Sequence, residues 1–300
     1  MLKVAWSPKY VLPLPPNHRF PMSKYEVLPL QLIHEGTLTE SNLFAPGPLE
    51  EKQIIRTHDA EYWYRLKNGL LSPHEVRKTG FPLSSELIER EVRIANGTLQ
   101  CAMYALQFGI SMNIAGGTHH AFTNRGEGFC LLNDMAIAAH YFLDERLAHK
   151  ILIVDLDVHQ GNGTASIFAE DDRVFTFSMH GANNYPLIKE QSDLDIGMKD
   201  FTGDDFYLKT LDVNLKSLMD TVKPDFMFYQ AGVDILNTDK LGRLSVTRTG
   251  CKQRDRIVLE TAYRNKIPVV VTMGGGYSPD FRDIIEAHAN TYRLAQELFF

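Results

Sequence analysis

Residues 151–162 read ILIVDLDVHQGN, an unbroken apolar run that stops abruptly in charged and polar residues. Ile151–Asp155 is short, β-branched and continuous in apolarity, which is how a strand buried on both faces of a parallel sheet reads. The same grammar recurs outward along the chain. Met112–Ala115 runs into GGTHH, Val174–Ser178 into MHG, Phe226–Gln230 into AGVD, and Val269–Met273 into GGGY. Helical patterning separates most of these runs, over Asn133–Asp144, Asp204–Thr221 and Thr249–Arg264, and precedes them at Ala60–Leu70 and Ser84–Phe108. In the longest of these, Ser84 is placed as N-cap ahead of an apolar stripe of Leu87, Ile88, Val92, Ala95 and Leu99. Strands alternating with helices specify an α/β fold, a three-layer αβα sandwich around a mostly parallel sheet. Ligands in such sheets bind beyond the carboxyl ends of the strands, so five polar segments should meet at one edge.

The rest of the chain sets bounds. Its 300 residues suit one domain over 1–300, with no repeat or low-complexity tract. A net charge of -6 gives no general pull toward nucleic acid or anionic membrane, although a local basic patch is compatible with it. Three cysteines, Cys101, Cys130 and Cys251, lack CxxC spacing and fit a reducing cytosol better than a disulfide framework. The opening residues do not read as a signal peptide, and no apolar run is long enough for a bilayer, so a cytoplasmic location is expected. The proline-rich stretch from Pro8 to Pro21 is expected to be neither regular helix nor central strand, and to wrap the surface or form a site rim. Phe44–Glu51 reads as a loop.

The chemistry lies in the polar segments. Asp155, Asp157 and His159 alternate, so a strand end can aim all three at one point. Two carboxylates on one face repel unless a cation or donors compensate; backbone amides satisfying a loop are the competing explanation. Asp234, just past another apolar run, reads on its own as a cap or turn residue. With Asp157 and His159 it completes a two-carboxylate, one-imidazole set, the pattern of an open catalytic zinc site. The same donors admit ferrous iron. His119 and His120 follow two glycines; an isolated pair of this kind is commonly a satisfied surface feature, but at a strand end one ring can take a proton from water and one can protonate a leaving amine. Asp155 is the expected partner of His119, and Asn162 of His120, so the two rings should titrate differently. Tyr277 can be a ring packed on a glycine turn, or a phenol donating to a carbonyl oxygen opposite the metal.

Taken together, GGTHHA, GFCLLND, DLDVHQGNGT, QAGVD and GGGY, in this order, resemble the zinc-dependent histone deacetylase family of the arginase–deacetylase fold, over roughly Ile54 to the C-terminus. The resemblance implies zinc on Asp157, His159 and Asp234. It implies acid–base roles for His119 and His120, supported by Asp155 and Asn162, and a carbonyl-polarising role for Tyr277. It also implies an acyl tunnel walled by Phe129 and Tyr185, with Gly117 and Gly275 beside it. A structural potassium would lie on Asp155, Ser178 and the backbones of Asp157, His159 and Met179. A second monovalent cation would lie near Phe168, Asp171 and Val174. QAGVDILNTDKLGRLSVT, Asn162 and the compact length look most like the class IV branch, which makes fatty-acyl-lysine a substrate to consider beside acetyl-lysine.

Two departures from the family's pattern stand out. Gly80 occupies the place of a rim Asp that holds the substrate backbone in many members, which weakens the case for peptide clamping. The N-terminal third matches loosely, with His18, Phe20 and Lys24 as rim or base residues. The implied reaction is hydrolysis of an N-acyl-lysine amide to amine and carboxylate, with His120 moving the proton and His119 as stabiliser. The rival readings are an amidohydrolase of small acylated amines such as acetylpolyamines, a two-manganese ureohydrolase, and a non-catalytic acyl-lysine binder. Gln160 and Asn162 are poor bridging ligands for the second, and the intact residue set weakens the third.

Overall fold

The structure is a computed structural model that describes residues 1–300. Its strands are β1 (Lys3–Ala5), β2 (Leu43–Phe44), β3 (Ile110–Asn113), β4 (Ile151–Asp155), β5 (Val174–Gly181), β6 (Leu194–Met198), β7 (Phe226–Gln230) and β8 (Val269–Thr272). Its helices are α1 (Lys24–His34), α2 (Glu51–Ile54), α3 (Ala60–Lys67), α4 (Pro73–Thr79), α5 (Ser85–Phe108), α6 (Asp134–Asp144), α7 (Asn162–Phe168), α8 (Asp204–Val222), α9 (Arg248–Asn265) and α10 (Phe281–Phe299). The strands form one sheet in the order β2-β1-β3-β8-β7-β4-β5-β6. Every pairing is parallel, so the sheet is wholly rather than mostly parallel.

The five apolar runs mark five of these strands, although β3 begins and ends two residues before Met112–Ala115 and β5 continues past Ser178 to Gly181. Four of them, β3, β4, β7 and β8, are buried at every position, as helices covering both faces require. The three strands that the apolar pattern did not mark lie toward the sheet's edges. β1 and β2 are too short to show a period, and β6 alternates between exposed and covered positions. The expected loop at Phe44–Glu51 is trimmed at both ends, because Phe44 closes β2 and Glu51 opens α2.

The helices pack in two groups, α5 with α6 and α1 with α10, α9 and α8. Ser84 caps α5 as its sequence suggests, its side chain accepting from the Leu87 amide, and Gly109 ends the helix in the left-handed conformation. α10 buries Ile284, Ile285, Tyr292 and Leu294 along one side. α1 carries Pro29 in its interior and continues past it. The proline-rich segment has one 3-10 turn at Pro8–Tyr10 and is otherwise irregular. No helix is long and apolar enough to cross a membrane.

Candidate active site

The sheet order brings the polar segments together. β3, β8, β7 and β4 are consecutive neighbours, and their carboxyl ends deliver His119 and His120, Tyr277, Asp234, and Asp157 with His159, respectively. Ligating atoms of Asp157, His159 and Asp234 all lie within 4.8 Å of one another, and all three residues are buried. Asp157 Oδ1 and Asp234 Oδ2 face His159 Nδ1 at 3.0 and 3.1 Å. Backbone amides fix the carboxylates from outside: Val158 donates to Asp234 Oδ1 at 2.9 Å, and Gly275 to Asp157 Oδ2 at 2.9 Å.

This donor set fits a divalent ion. Two carboxylates and one imidazole converge on one point, so one cation could meet all three. Gly275 leaves the room: a Cβ there would stand 2.0 Å from Asp234 Oδ2. Burial and the neighbouring Asp157 push Asp234 up to about 7. Burial opposes the charge of His159, but Asp157 and Asp234 outweigh it and raise the ring to about 10. Burial likewise opposes ionised Asp157, yet His119 and His159 hold it well below the usual carboxylate range.

The rings of the two adjacent histidines are tilted by 44° to one another, with centres 4.1 Å apart. His119 Nδ1 lies 2.6 Å from Asp155 Oδ2, and His120 Nδ1 lies 2.6 Å from Asn162 Oδ1. Their titrations diverge. Burial lowers the pKa of His119, but Asp155 and Asp157 more than reverse it, for a net rise. Burial, reinforced by His119 and His159, drives His120 well below its ordinary value. An amide oxygen can only accept, so His120 carries its proton on Nδ1 and keeps the Nε2 lone pair free.

Tyr277 stands opposite, its ring centre 6.5 Å from that of His159 and 6.1 Å from those of Phe129 and Phe20. Its amide donates to Asp239 Oδ2 at 2.6 Å, which sets the turn. Burial, with Asp234 and Asp157 adding to it, raises the phenol well above 10, so it stays a donor.

Phe129 forms one wall of a tunnel mouth of about 330 Å³, which Tyr185 also lines. The amides of Gly128 and Phe129 hang on the last carbonyls of α4, those of Lys78 and Thr79, at 3.0 and 2.8 Å. Gly80, left-handed at φ 77°, ends that helix directly behind the wall; a Cβ there would meet the Phe129 ring at 2.8 Å. His18 Nε2 bonds the Gly80 carbonyl at 2.9 Å and its ring stacks on Phe81, so the N-terminal segment does build the rim. The ring of Tyr185 meets that of His120 edge-on at 5.0 Å, and its hydroxyl donates to Glu127 at 2.5 Å. A chamber of about 40 Å³ adjoins the histidines, lined by Phe20, Tyr25, Arg90, Gly117 and Gly275 as well as by His119, His120, Asp157 and Tyr277.

Lys24 is buried beneath this chamber. Its ammonium donates to the Gly274 carbonyl at 2.9 Å and lies 5.7 Å from the centre of the Tyr277 ring. Burial lowers its pKa to about 8. Ser178 pairs in register with Asp155, but its hydroxyl is 2.9 Å from His180 Nδ1. The Asp171 carboxylate is held by Arg173 at 2.6 and 2.8 Å, so the segment between Phe168 and Val174 has chiefly backbone carbonyls to offer a cation.

The profile of the histone deacetylase domain matches residues 18–292, most of the chain. The chain belongs to the histone deacetylase family. It is 31% identical to histone deacetylase 2 of Arabidopsis thaliana, over 87% of this chain and 70% of that one. An uncharacterized protein of Picosynechococcus sp. is 42% identical over 99% of both chains. The fold is similar to that of a histone deacetylase homologue crystallised with SAHA, with a TM-score of 0.83 and 23% identity over 99% of this chain and 83% of the other. Membership makes the chain a hydrolase of the deacetylase type.

Several supports of this deacetylase site escape a reading of the sequence. Asp134 accepts from the amides of Gly117 and Thr118 at 3.1 and 2.8 Å and so grips the segment that carries both histidines. An acid one residue beyond the apolar run of GFCLLND was the available signal. Gln230 donates to the Gly117 carbonyl at 2.8 Å. Arg254, fully buried in α9, donates to the carbonyls of Leu156, Ala231 and Gly232, tying the β4 and β7 tips together. Nothing in the pattern of α9 marks it out.

Proposed function

We propose that this histone deacetylase relative hydrolyses the amide of an N-acyl-lysine, with zinc, or alternatively ferrous iron, held by Asp157, His159 and Asp234. The observation that carries the reading is the buried two-carboxylate, one-imidazole cluster faced by a histidine pair and a phenol at the foot of a tunnel. When bound, such an ion acidifies a water and polarises a carbonyl. The chain's own residues supply the remainder. Phe129 and Tyr185 flank the aliphatic stem of the lysine and exclude water from it. Tyr277 donates to the carbonyl oxygen, a bond that strengthens as negative charge develops there. His120 takes the water's proton at Nε2 and returns it to the departing amine. His119, held by Asp155, remains a charged or hydrogen-bonded stabiliser beside the reacting centre.

The inner chamber favours a short acyl group. About 40 Å³ is room for a few waters or a two-carbon group. Acetyl-lysine is therefore the substrate we place first, beside the fatty acyl-lysine that a class IV relationship suggests. A structural potassium on Asp155 and the backbones of Asp157, His159 and Met179 belongs to the same reading, with Ser178 completing it once its hydroxyl turns from His180. A single catalytic domain acting in the cytoplasm completes it.

Lysine peptides carrying acyl groups of increasing length test the proposal on zinc-loaded and chelated protein. The acetyl peptide should be cleaved fastest, activity should vanish on chelation, and zinc should restore it. A fully metal-loaded protein that cleaves no acyl-lysine peptide would sink it.

A further inference from the structure

The mouth of the tunnel has a charge opposite to that of the chain as a whole. Against a net -6, the polar side chains around the opening include Arg19, Lys78 and Arg243, and no Asp or Glu lines it. The Arg19 guanidinium lies 5.0 Å over the ring of Phe129, at the lip of the tunnel wall. Lys78 sits where the carbonyls of α4 suspend Phe129, and like Arg19 it is exposed and takes part in no ion pair. Arg243 leans toward Asp200 at 3.3 Å and keeps most of its side chain in solvent.

The acids nearest the opening are already engaged. Glu127 accepts the Tyr185 hydroxyl and pairs with Arg125 at 3.4 Å. Asp239 is turned inward, accepting from the amides of Leu241, Gly242 and Tyr277. The cations are set among apolar walls, Phe129, Tyr185 and the 90%-exposed Leu187, which focus their field on whatever approaches.

We propose that this mouth selects acyl-lysine carried on acidic peptides, with Arg19 and Lys78 as the specificity-determining residues and Arg243 a weaker third. The inference rests on the N-acyl-lysine reading of the site below it. An acyl-lysine fits the tunnel with its neighbours at the rim, so flanking carboxylates fall within reach of the cations. Flanking lysines or arginines meet like charge. An acylated polyamine brings further ammonium groups to an opening that offers no carboxylate to receive them.

Three peptides with one acetyl-lysine, flanked by Asp/Glu, by Gly/Ser or by Lys/Arg, are assayed with zinc-loaded protein at low and high salt, alongside an acetylated polyamine. The expected kcat/KM is about ten-fold higher for the acidic than for the basic peptide at low salt, carried mainly by KM, and the gap closes as salt screens it. The double variant Arg19→Glu, Lys78→Glu should invert the acidic-to-basic ratio. Because the ratio is taken within one enzyme, a general loss of activity cancels. A flat or reversed order in the wild type, a ratio indifferent to the double substitution, or a polyamine cleaved better than the acidic peptide overturns the inference. Metal-loaded protein inactive on every peptide would instead bring down the N-acyl-lysine reading, and this inference with it.

Discussion

The floor of the tunnel and its rim are built on different principles. At the floor, Asp157, His159, Asp234, His119 and His120 are buried, and partners on neighbouring strands or loops fix each one. At the rim, Arg19, Lys78 and Leu187 are exposed and stand on the proline-rich segment, the end of a short helix and a loop. The floor is an outcome of the sheet, because four adjacent parallel strands end there. The rim comes from connections that vary freely without disturbing the sheet. Reaction type is therefore written into the fold, and the choice of substrate into the surface.

Experiments can press on this division from either side. Asp234→Ala removes one of three converging donors and should abolish both metal content and activity. A full metal complement by elemental analysis would show that the floor does not act as a unit. Tyr277→Phe is milder, because it removes one hydroxyl and leaves the cluster whole. It should lower kcat by ~10²–10³ with metal content unchanged, as for loss of an oxyanion donor; unaltered turnover would remove the phenol from the chemistry.

Lys24 gives the smallest effect, read in stability rather than rate. Its folded pKa is about 8 against an ordinary 10.5. Between those values the unfolded chain holds a proton that the folded chain lacks, so stability rises with pH across that window, by about 3 kcal/mol in full. Urea unfolding of the chelated protein at pH 8 and pH 10 should show the rise, and Lys24→Met should lack it. Equal slopes in both proteins would mean that the buried ammonium keeps its proton.

The same division explains what could be read from the sequence. Asp157, His159, Asp234, His119, His120 and Tyr277 each lie within five residues of the end of an apolar run, so covalent proximity to a strand end announced them. The pairings of His119 with Asp155 and His120 with Asn162 were legible once the strand ends were known to converge. The charges of the rim were not, since Arg19, Lys78 and Arg243 share no periodicity and meet only through folding. Lys24 reaches the Gly274 carbonyl across 250 positions of sequence, a contact that no local pattern carries. The short edge strands β1 and β2 escaped because two or three residues hold no period.

Arg254 carries a last consequence. By grasping carbonyls from both strand tips that bear carboxylates, it keeps them at a fixed separation whatever lies between them. Such a cradle does not need its ion in order to hold its shape. Stripped protein should keep its fold and refill quickly, and the element recovered with purified material should track the growth medium.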